Sequence, residues 1–250
     1  MATRTNRQGL EGYNSFGSLM QIKEYRSSID IDIYFPEYDW IAYNREYSDF
    51  KKGHVKCPFE PRFETVGFIG EGSYKMSPEY KYIYTTWINM LNRCYKNNDS
   101  KDRTYKDCYV CDEWHNYQNF AQWYEEHYYS IPGESMHIDK DILYKGNKIY
   151  SPDTCCIVPR SINNLFTLRD SERNHLIGTF LSPSKKKWGA RITLSNKRKT
   201  IGYYDTEEDA FNAYKDYKEY HIKELADKYI EYIPDELYQS LYSYVVEKSD

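Results

Sequence analysis

The stretch MHIDKDILYKGNKIYSPDTCCIVPRSIN, residues 136–163, decides our interpretation of the fold. Met136 to Leu143 has the pattern of a β-strand, and Tyr144 to Lys148 is a turn built around Gly and Asn. A second apolar strand follows at Cys155 to Val158. Pro159 stands where a helix could begin, because proline suits the first helical turn. The order strand, turn, strand, helix predicts a ββα unit.

A ββα unit can hold one divalent metal ion if a carboxylate ends its first strand and an Asn or His projects from its helix. Asp139 is the candidate carboxylate. Asn163 is the candidate helix ligand, because its amide oxygen suits a hard cation such as magnesium or manganese. Such an ion would stabilise the leaving oxygen of a cleaved phosphodiester, while a nearby base activates water.

This ordered set resembles the HNH (His-Me finger) endonuclease-like proteins that are common in bacteriophages. The residues that carry the resemblance are His137-Ile-Asp-Lys-Asp-Ile-Leu, Gly146-Asn-Lys, Tyr150-Ser-Pro, Cys155, Val158-Pro and Ile162-Asn, preceded by Trp87, Arg93-Cys-Tyr, Trp114, Phe120 and Trp123. The resemblance implies metal-dependent cleavage or nicking of DNA.

In that family a His directly after the strand carboxylate is the general base, whereas this chain has Lys140 there. A lysine at its ordinary pKa is a poor base. His137 falls on the same face of an extended strand as Asp139, and Lys140 points the other way. Two alternatives stay open: His137 or Lys140 assists the attacking water, or Lys140 marks a lost activity and the ββα unit is structural.

The chain has six Cys residues, and its N-terminus does not resemble a secretory signal, so a disulfide framework is not expected. Cys108 and Cys111 have the C-x-x-C spacing of a zinc knuckle. Cys155 is the candidate further ligand, with Cys156 or Cys94 as alternatives. The sequence allows a structural zinc ion, or thiols that simply pack as small apolar core residues.

A strongly basic segment lies between Pro183 and Tyr204, where seven Lys and Arg occur without any Asp or Glu. The predicted elements are strands at 177–181, 188–194 and 199–204 and a helix at 208–225 capped by Thr206. A basic sheet could enter a DNA major groove, with lysines neutralising phosphates and an Arg reading guanine. The candidate DNA contacts are Lys185, Lys186, Lys187, Trp188, Arg191, Lys197, Arg198 and Lys199, although Trp188 fits a core position equally.

Residues 175–226 resemble the ethylene-response-factor (Apetala-type) DNA-binding domain. The matching residues are Gly178, Trp188-Gly-Ala-Arg-Ile, Ile201-Gly-Tyr-Tyr-Asp-Thr-Glu-Glu-Asp-Ala and Ala213-Tyr. That domain packs three strands on one helix, reads DNA with its sheet, and often follows an HNH core in phage and homing endonucleases. The resemblance implies double-stranded DNA as the partner and Lys187, Trp188, Arg191 and Arg198 as contacts.

The expected fold class is α+β, in four segments. Residues 1–75 form a small β-barrel-like module of short strands, in which Ile29, Ile31, Ile33 and Phe35 alternate with polar residues. Residues 76–170 form an HNH-like ββα nuclease core with flanking helices whose aromatic stripes are typical of core packing. Residues 171–226 form the three-stranded sheet plus helix, and residues 227–250 an acidic helical tail.

Composition narrows the class of protein. The 250 residues lack an apolar run of the ~20 residues that a membrane-spanning helix needs. The aromatic content of 18% argues against wholesale disorder. The net charge of −4 is an average over unlike parts, because residues 171–226 carry 11 Lys and Arg against 8 Asp and Glu, whereas residues 227–250 carry 2 against 6.

The predicted function is that of a phage-type, metal-dependent DNA endonuclease directed by its C-terminal domain and acting in the cytoplasm of a host cell. The alternative is a non-catalytic DNA-binding or phage anti-defence protein on a degenerate HNH scaffold, binding a host defence protein or a nucleotide signal. The 29 Tyr residues suit a protein interface. Self-association of the chain is left open.

Overall fold

The computed structural model describes residues 6–96, 105, 107–166, 174–194 and 197–248. Within them the strands are β1 (Glu11–Tyr13), β2 (Leu19–Ser27), β3 (Asp30–Phe35), β4 (Trp40–Arg45), β5 (Tyr109–Val110), β6 (Met136–Asp139), β7 (Ile149–Tyr150), β8 (Cys156–Pro159), β9 (Thr179–Ser182), β10 (Lys187–Leu194) and β11 (Lys197–Tyr204). The α-helices are α1 (Tyr47–Lys52), α2 (Lys81–Leu91), α3 (Tyr117–His127), α4 (Arg160–Phe166), α5 (Glu207–Lys228) and α6 (Asp235–Ser243). The fold is therefore mixed α+β, as expected.

The chain divides into two compact units. The first comprises Met1–Asn92 and Asp112–Gln122, and the second comprises Arg93–Cys111 and Trp123–Asp250. This division does not coincide with the predicted borders after residues 75, 170 and 226. The predicted helical segment contributes to both units, and everything from residue 123 onward belongs to one of them.

The first unit contains an open antiparallel sheet in the order β1-β2-β3-β4. Each strand pairs with the next one along the chain. A closed barrel requires its first and last strands to pair, whereas β1 and β4 lie at opposite edges of this sheet. The prediction of a barrel-like module is therefore wrong for the described residues. After β4 the chain enters α1, which packs against β3.

The core of this sheet follows the predicted alternation with two exceptions, Ile29 and Asp32. Three apolar side chains of β3 are buried, namely Ile31, Ile33 and Phe35, whereas Ile29 lies before the strand and is 72% exposed. Asp32 is buried as well, because Arg26 donates hydrogen bonds to both of its carboxylate oxygens at 2.6 and 2.9 Å. These bonds hold the pKa of Asp32 below its ordinary value.

Aromatic side chains form the remaining core of the first unit. Trp87 on α2 and Trp114 just before α3 are fully buried, and the Trp87 indole donates to the carbonyl of Trp114 at 2.7 Å. Tyr117 and Phe120 on α3 are also fully buried. The prediction that these aromatic stripes are core is confirmed.

The second unit contains the predicted order strand, turn, strand, helix. β6 pairs antiparallel with β8, and α4 packs against both. β6 is shorter than expected, because Oδ1 of Asp139 accepts hydrogen bonds from the backbone N–H groups of Asp141 and Ile142 at 2.9 Å each. This side-chain turn takes the chain out of the sheet.

The second strand of this ββα unit is also displaced from its predicted position. Pro159 ends β8 and α4 begins at Arg160, so the proline does not open the helix. β5 and β7 form a short parallel pair that the sequence did not predict.

The remainder of the second unit is a three-stranded sheet in the order β11-β10-β9, with α5 packed against it. Its strands begin one or two residues away from the predicted positions. Thr206 caps α5 as predicted, because its hydroxyl accepts a hydrogen bond from the N–H of Asp209 at 3.1 Å.

The acidic tail is helical, as expected, and it packs against the rest of the unit. Leu237 and Leu241 on α6 are buried. Val246 joins the core between α5 and the sheet, and Lys215 donates to its carbonyl at 2.9 Å. Residues 229–248 are therefore part of the folded second unit.

Candidate functional site

The two faces of β6 differ in their environment. Met136 and Ile138 are buried, whereas His137 and Asp139 are half-buried on the other face. Nε2 of His137 lies 3.4 Å from the hydroxyl of Ser135. Burial, together with the charge of Arg160, lowers the pKa of His137. Its imidazole is therefore neutral near pH 7 and can accept a proton.

Asp139 is the carboxylate that the sequence predicts at the end of this strand. Burial, reinforced by the negative charge of Asp141, raises the pKa of Asp139 to about 7. The two backbone N–H groups that donate to Oδ1 favour the ionised form but do not outweigh burial. Asp139 is thus a carboxylic acid that titrates near neutral pH because of its surroundings.

Lys140 has a structural environment that makes it a poor base. It is buried, and its ammonium donates to Oδ2 of Asp141 at 2.8 Å and to the carbonyl of Asn147 at 3.1 Å. The Asn147 side chain donates back to the carbonyl of Lys140 at 2.6 Å. Burial alone would lower the pKa of Lys140, but the hydrogen bond and charge of Asp141 raise it. Of the two candidate bases, His137 is the one that is unprotonated near pH 7 and can take a proton from water.

The donors around Asp139 do not fit a magnesium or manganese ion. A hard divalent cation binds carboxylate oxygens, but Oδ1 of Asp139 already accepts two backbone amides and Oδ2 of Asp141 already accepts from the Lys140 ammonium. The Lys140 ammonium that pairs with the neighbouring Asp141 carboxylate is itself a cation. Asn163 lies half-buried on α4. In the part of the chain that the structure describes, no cluster of three or more His, Cys, Asp or Glu side chains could hold a metal ion.

The same observation applies to the expected zinc ligands. Cys108, Cys111 and Cys155 are all reduced and do not assemble into such a cluster within the described residues. Burial raises the pKa of Cys108 and of Cys155, as expected for thiols in apolar surroundings. Their environment favours the alternative, that these thiols pack as small apolar residues.

The basic sheet has a face that packs on α5 and a face that does not. Trp188, Ala190 and Ile192 alternate along β10 and contribute to the core with α5. Trp188 packs edge-on against His175. Trp188 is therefore a helix-facing core residue, and its role as a DNA contact, which the sequence left open, is not supported. Arg191 lies on the opposite face and is exposed.

The outer face, defined here as the side of β9–β11 away from α5, carries two aromatic rings. Phe180 and Tyr203 flank Gly189 on the two neighbouring strands, with ring centroids 6.1 Å apart. The Arg191 guanidinium lies 4.8 Å from the Phe180 ring centroid, and the Lys185 ammonium lies 3.5 Å from that of Tyr203. The outer face therefore combines cations with flat apolar surface.

The other predicted DNA contacts are divided between the two faces. By register, Arg198 pairs with Thr193 on the outer face, whereas Lys197 and Lys199 pair with helix-facing residues. Lys199 donates to the hydroxyl of Tyr217 on α5 at 2.7 Å. Of the remaining two, Lys186 lies in the turn before β10. Lys187 begins β10, and its ammonium is 3.0 Å from Asp205.

Phe180 and Tyr203 were missed as site residues at the sequence level. The signal was present, because Trp188, Ala190, Ile192 and Leu194 have the period of two that marks the buried face of a strand. The alternate residues then belong to the outer face, and so do their partners on the neighbouring strands.

Comparisons of this chain with protein-family models, with curated proteins and with solved structures found no match. Among the described residues, none of the helices combines the length and the apolar character needed to cross a bilayer.

Proposed function

We propose that this chain is a DNA-binding protein that contacts the duplex with the outer face of its C-terminal sheet, and that its ββα unit serves as a scaffold. The observation that carries the proposal is the convergence of Lys185, Arg191 and Arg198 with two aromatic rings on a face that α5 leaves uncovered. β9, β10 and β11 contain no Asp or Glu that would oppose a phosphate.

The chemistry of this face matches that of a DNA groove. Lys185 and Arg198 would neutralise phosphates, which supplies sequence-independent affinity. Arg191 lies in the middle of the central strand, and an Arg fork pairs with the O6 and N7 atoms of guanine. The Phe180 ring beneath its guanidinium restricts the Arg191 side chain to a few orientations, which favours such a directed contact.

The test is fluorescence anisotropy with a labelled DNA duplex between 50 and 200 mM salt. For the double variant Lys185→Gln, Arg198→Gln we expect a slope of log K against log salt that is smaller by about 1 to 2, because each lost phosphate contact contributes ~0.9. The matched control is Lys199→Gln, in the same sheet but bonded to α5. Equal losses in both variants, or no binding by the wild type, would contradict the proposal.

Cleavage of DNA by the ββα unit is a second candidate function, favoured by one observation. His137 is neutral near pH 7 and shares a face of β6 with Asp139, so it could take a proton from an attacking water. A plasmid nicking assay, with and without magnesium or manganese, tests this function. Nicking that persists in both His137→Ala and Asn163→Ala variants would remove the ββα unit from consideration.

A further inference from the structure

A cleft of about 480 Å³ opens in the first unit. It lies between the ends of β4, the segment from Lys56 to Arg62, and the loop from Ile69 to Met76, with one residue of α3 at its base. Its volume is in the range of small-molecule sites. The lining residues that matter here are Trp40, Arg45, Lys56, Arg62, Glu71, Tyr74, Lys75 and Gln118.

The wall formed by the loop is held in place by Gln118, which is buried. Its amide oxygen accepts from the N–H of Tyr74 at 3.0 Å, and its amide nitrogen donates to the carbonyls of Ile69 and Tyr74 at 3.1 and 2.9 Å. Gly72 permits this approach, because a Cβ there would lie 2.2 Å from the same amide oxygen. The cleft wall is therefore a built feature of the fold.

The charges in the cleft are unbalanced. Arg45, Lys56 and Lys75 line it, against the single carboxylate of Glu71, which already accepts a hydrogen bond from the Trp40 indole at 2.8 Å. Arg62, the fourth cation of the lining, is ion-paired with Glu60. Within the described part of the chain, the ammonium and guanidinium groups of Arg45, Lys56 and Lys75 have no carboxylate within ion-pairing distance. Like charges gathered in one cleft repel one another unless an anion neutralises them.

The Arg62 guanidinium is anchored in the wall of the cleft. It donates to the carbonyl of Cys57, and its Nε lies 3.7 Å from Glu60. Nε is nevertheless buried without a hydrogen-bond acceptor, although buried donors in proteins are nearly always bonded. Trp40 and Tyr74 provide aromatic rings at the same cleft.

We propose that this cleft binds a small polyanion that carries a flat ring, which is the chemistry of a free nucleotide. The cations would hold its phosphates, and Trp40 or Tyr74 would stack on its base. All the lining residues belong to the first unit, so this site is separate from the sheet proposed to bind DNA. A phosphate with a neighbouring base also occurs at the end of a nucleic-acid strand, and the test separates these two sources.

The experiment is isothermal titration of the full chain with four probes: adenosine triphosphate, inorganic triphosphate, adenosine and a five-residue single-stranded oligonucleotide. We expect adenosine triphosphate to bind most tightly. Arg45→Gln and Lys75→Gln should each weaken its binding about tenfold, which corresponds to a loss of about 1.4 kcal/mol. The matched control is Lys52→Gln, an exposed lysine of α1 outside the cleft, which should bind like the wild type.

Each other outcome overturns part or all of the proposal. Equal weakening by Lys52→Gln would show that only the general charge of the surface is involved. If inorganic triphosphate binds as tightly as adenosine triphosphate, the ring does not contribute to recognition. If the oligonucleotide binds more tightly than adenosine triphosphate, the ligand is the end of a nucleic-acid strand and not a free nucleotide. Absence of binding by both triphosphates at millimolar concentration would reject the site. The double variant of the DNA-binding sheet should retain nucleotide binding, which keeps the two proposals distinguishable.

Discussion

Replacement of Asp139 by asparagine is the sharpest test of how the ββα unit is built. The side-chain amide oxygen of the introduced asparagine can still accept the hydrogen bonds from Asp141 and Ile142 that end β6. The substitution therefore removes a half-buried carboxyl group and its charge while retaining the turn. We expect Asp139→Asn to raise the free energy of unfolding at pH 8.

The magnitude follows from the raised pKa of Asp139, which is about 7 in the fold against 3.8 ordinarily. Between these values the folded chain retains a proton that the unfolded chain has released, so stability falls as the pH rises through this window. Above pH 7 both states are ionised, and the full penalty is at most about 4 kcal/mol. The gain from the substitution should therefore be largest at pH 8 and small near pH 4.

Urea denaturation at several pH values between 4 and 8 measures this difference. The matched control is Asp153→Asn, at an exposed position between β7 and β8, whose stability should run parallel to that of the wild type. An Asp139→Asn variant that is less stable than the wild type at pH 8 would refute the reasoning. So would magnesium that raises the Tm of the wild type but not that of the variant, because the carboxylate would then be a metal ligand.

Three further predictions follow from single contacts. Lys140→Met should lower the free energy of unfolding by about 1 kcal/mol, because the solvent-accessible Asp141 carboxylate and the Asn147 carbonyl lose their donor; an unchanged urea midpoint would contradict this. Thr206→Ala should cost about 1 kcal/mol through loss of the α5 cap, whereas Thr85→Ala, at an exposed position of α2, should be nearly neutral in thermal unfolding. Treatment with EDTA should leave the Tm unchanged, since the described Cys residues form no metal cluster; a lower Tm with stoichiometric zinc release would contradict it.

The predictable part of this fold is the part that depends on residues close in sequence. The cap at Thr206 and its acidic first turn predict where α5 begins, because a cap involves only four consecutive positions. The alternation of Ile31, Ile33 and Phe35 predicts the buried face of β3 in the same way. Both elements lie where the sequence predicts them.

The unpredicted part depends on which polar residues find partners. Asp32 and Lys140 are charged residues, which are usually exposed, yet both are buried. Arg26 pairs with Asp32, and Asp141 pairs with Lys140. Such pairing depends on the turn geometry around each residue, which the hydropathy pattern does not record. The early end of β6 has the same origin, since one carboxylate oxygen of Asp139 competes with the sheet for backbone amides.

The cleft of the first unit could not have been found from the sequence, because its lining residues lie as far apart as Trp40 and Gln118. The orientation of the basic sheet, by contrast, could have been predicted from the sequence. Once Trp188 is assigned to the buried face by its period of two, Arg191 must point outward, together with its cross-strand neighbours. A residue in a strand lies on one of two faces, so a local pattern is enough to assign it. The residues that line a cleft can be identified only when the whole tertiary structure is known.

The net charge of −4 does not oppose binding of polyanions by either unit. At physiological salt, charges further than ~8 Å from a bound phosphate are largely screened. Part of the acidic tail is also neutralised locally, because Glu247 lies 3.1 Å from Lys145. A phosphate at the outer face therefore responds mainly to Lys185, Arg191 and Arg198, and a phosphate in the cleft mainly to Arg45, Lys56 and Lys75. Lowering the salt brings the distant acidic residues into range, so the affinity gained at low salt should be smaller than the number of cations in either site alone would predict.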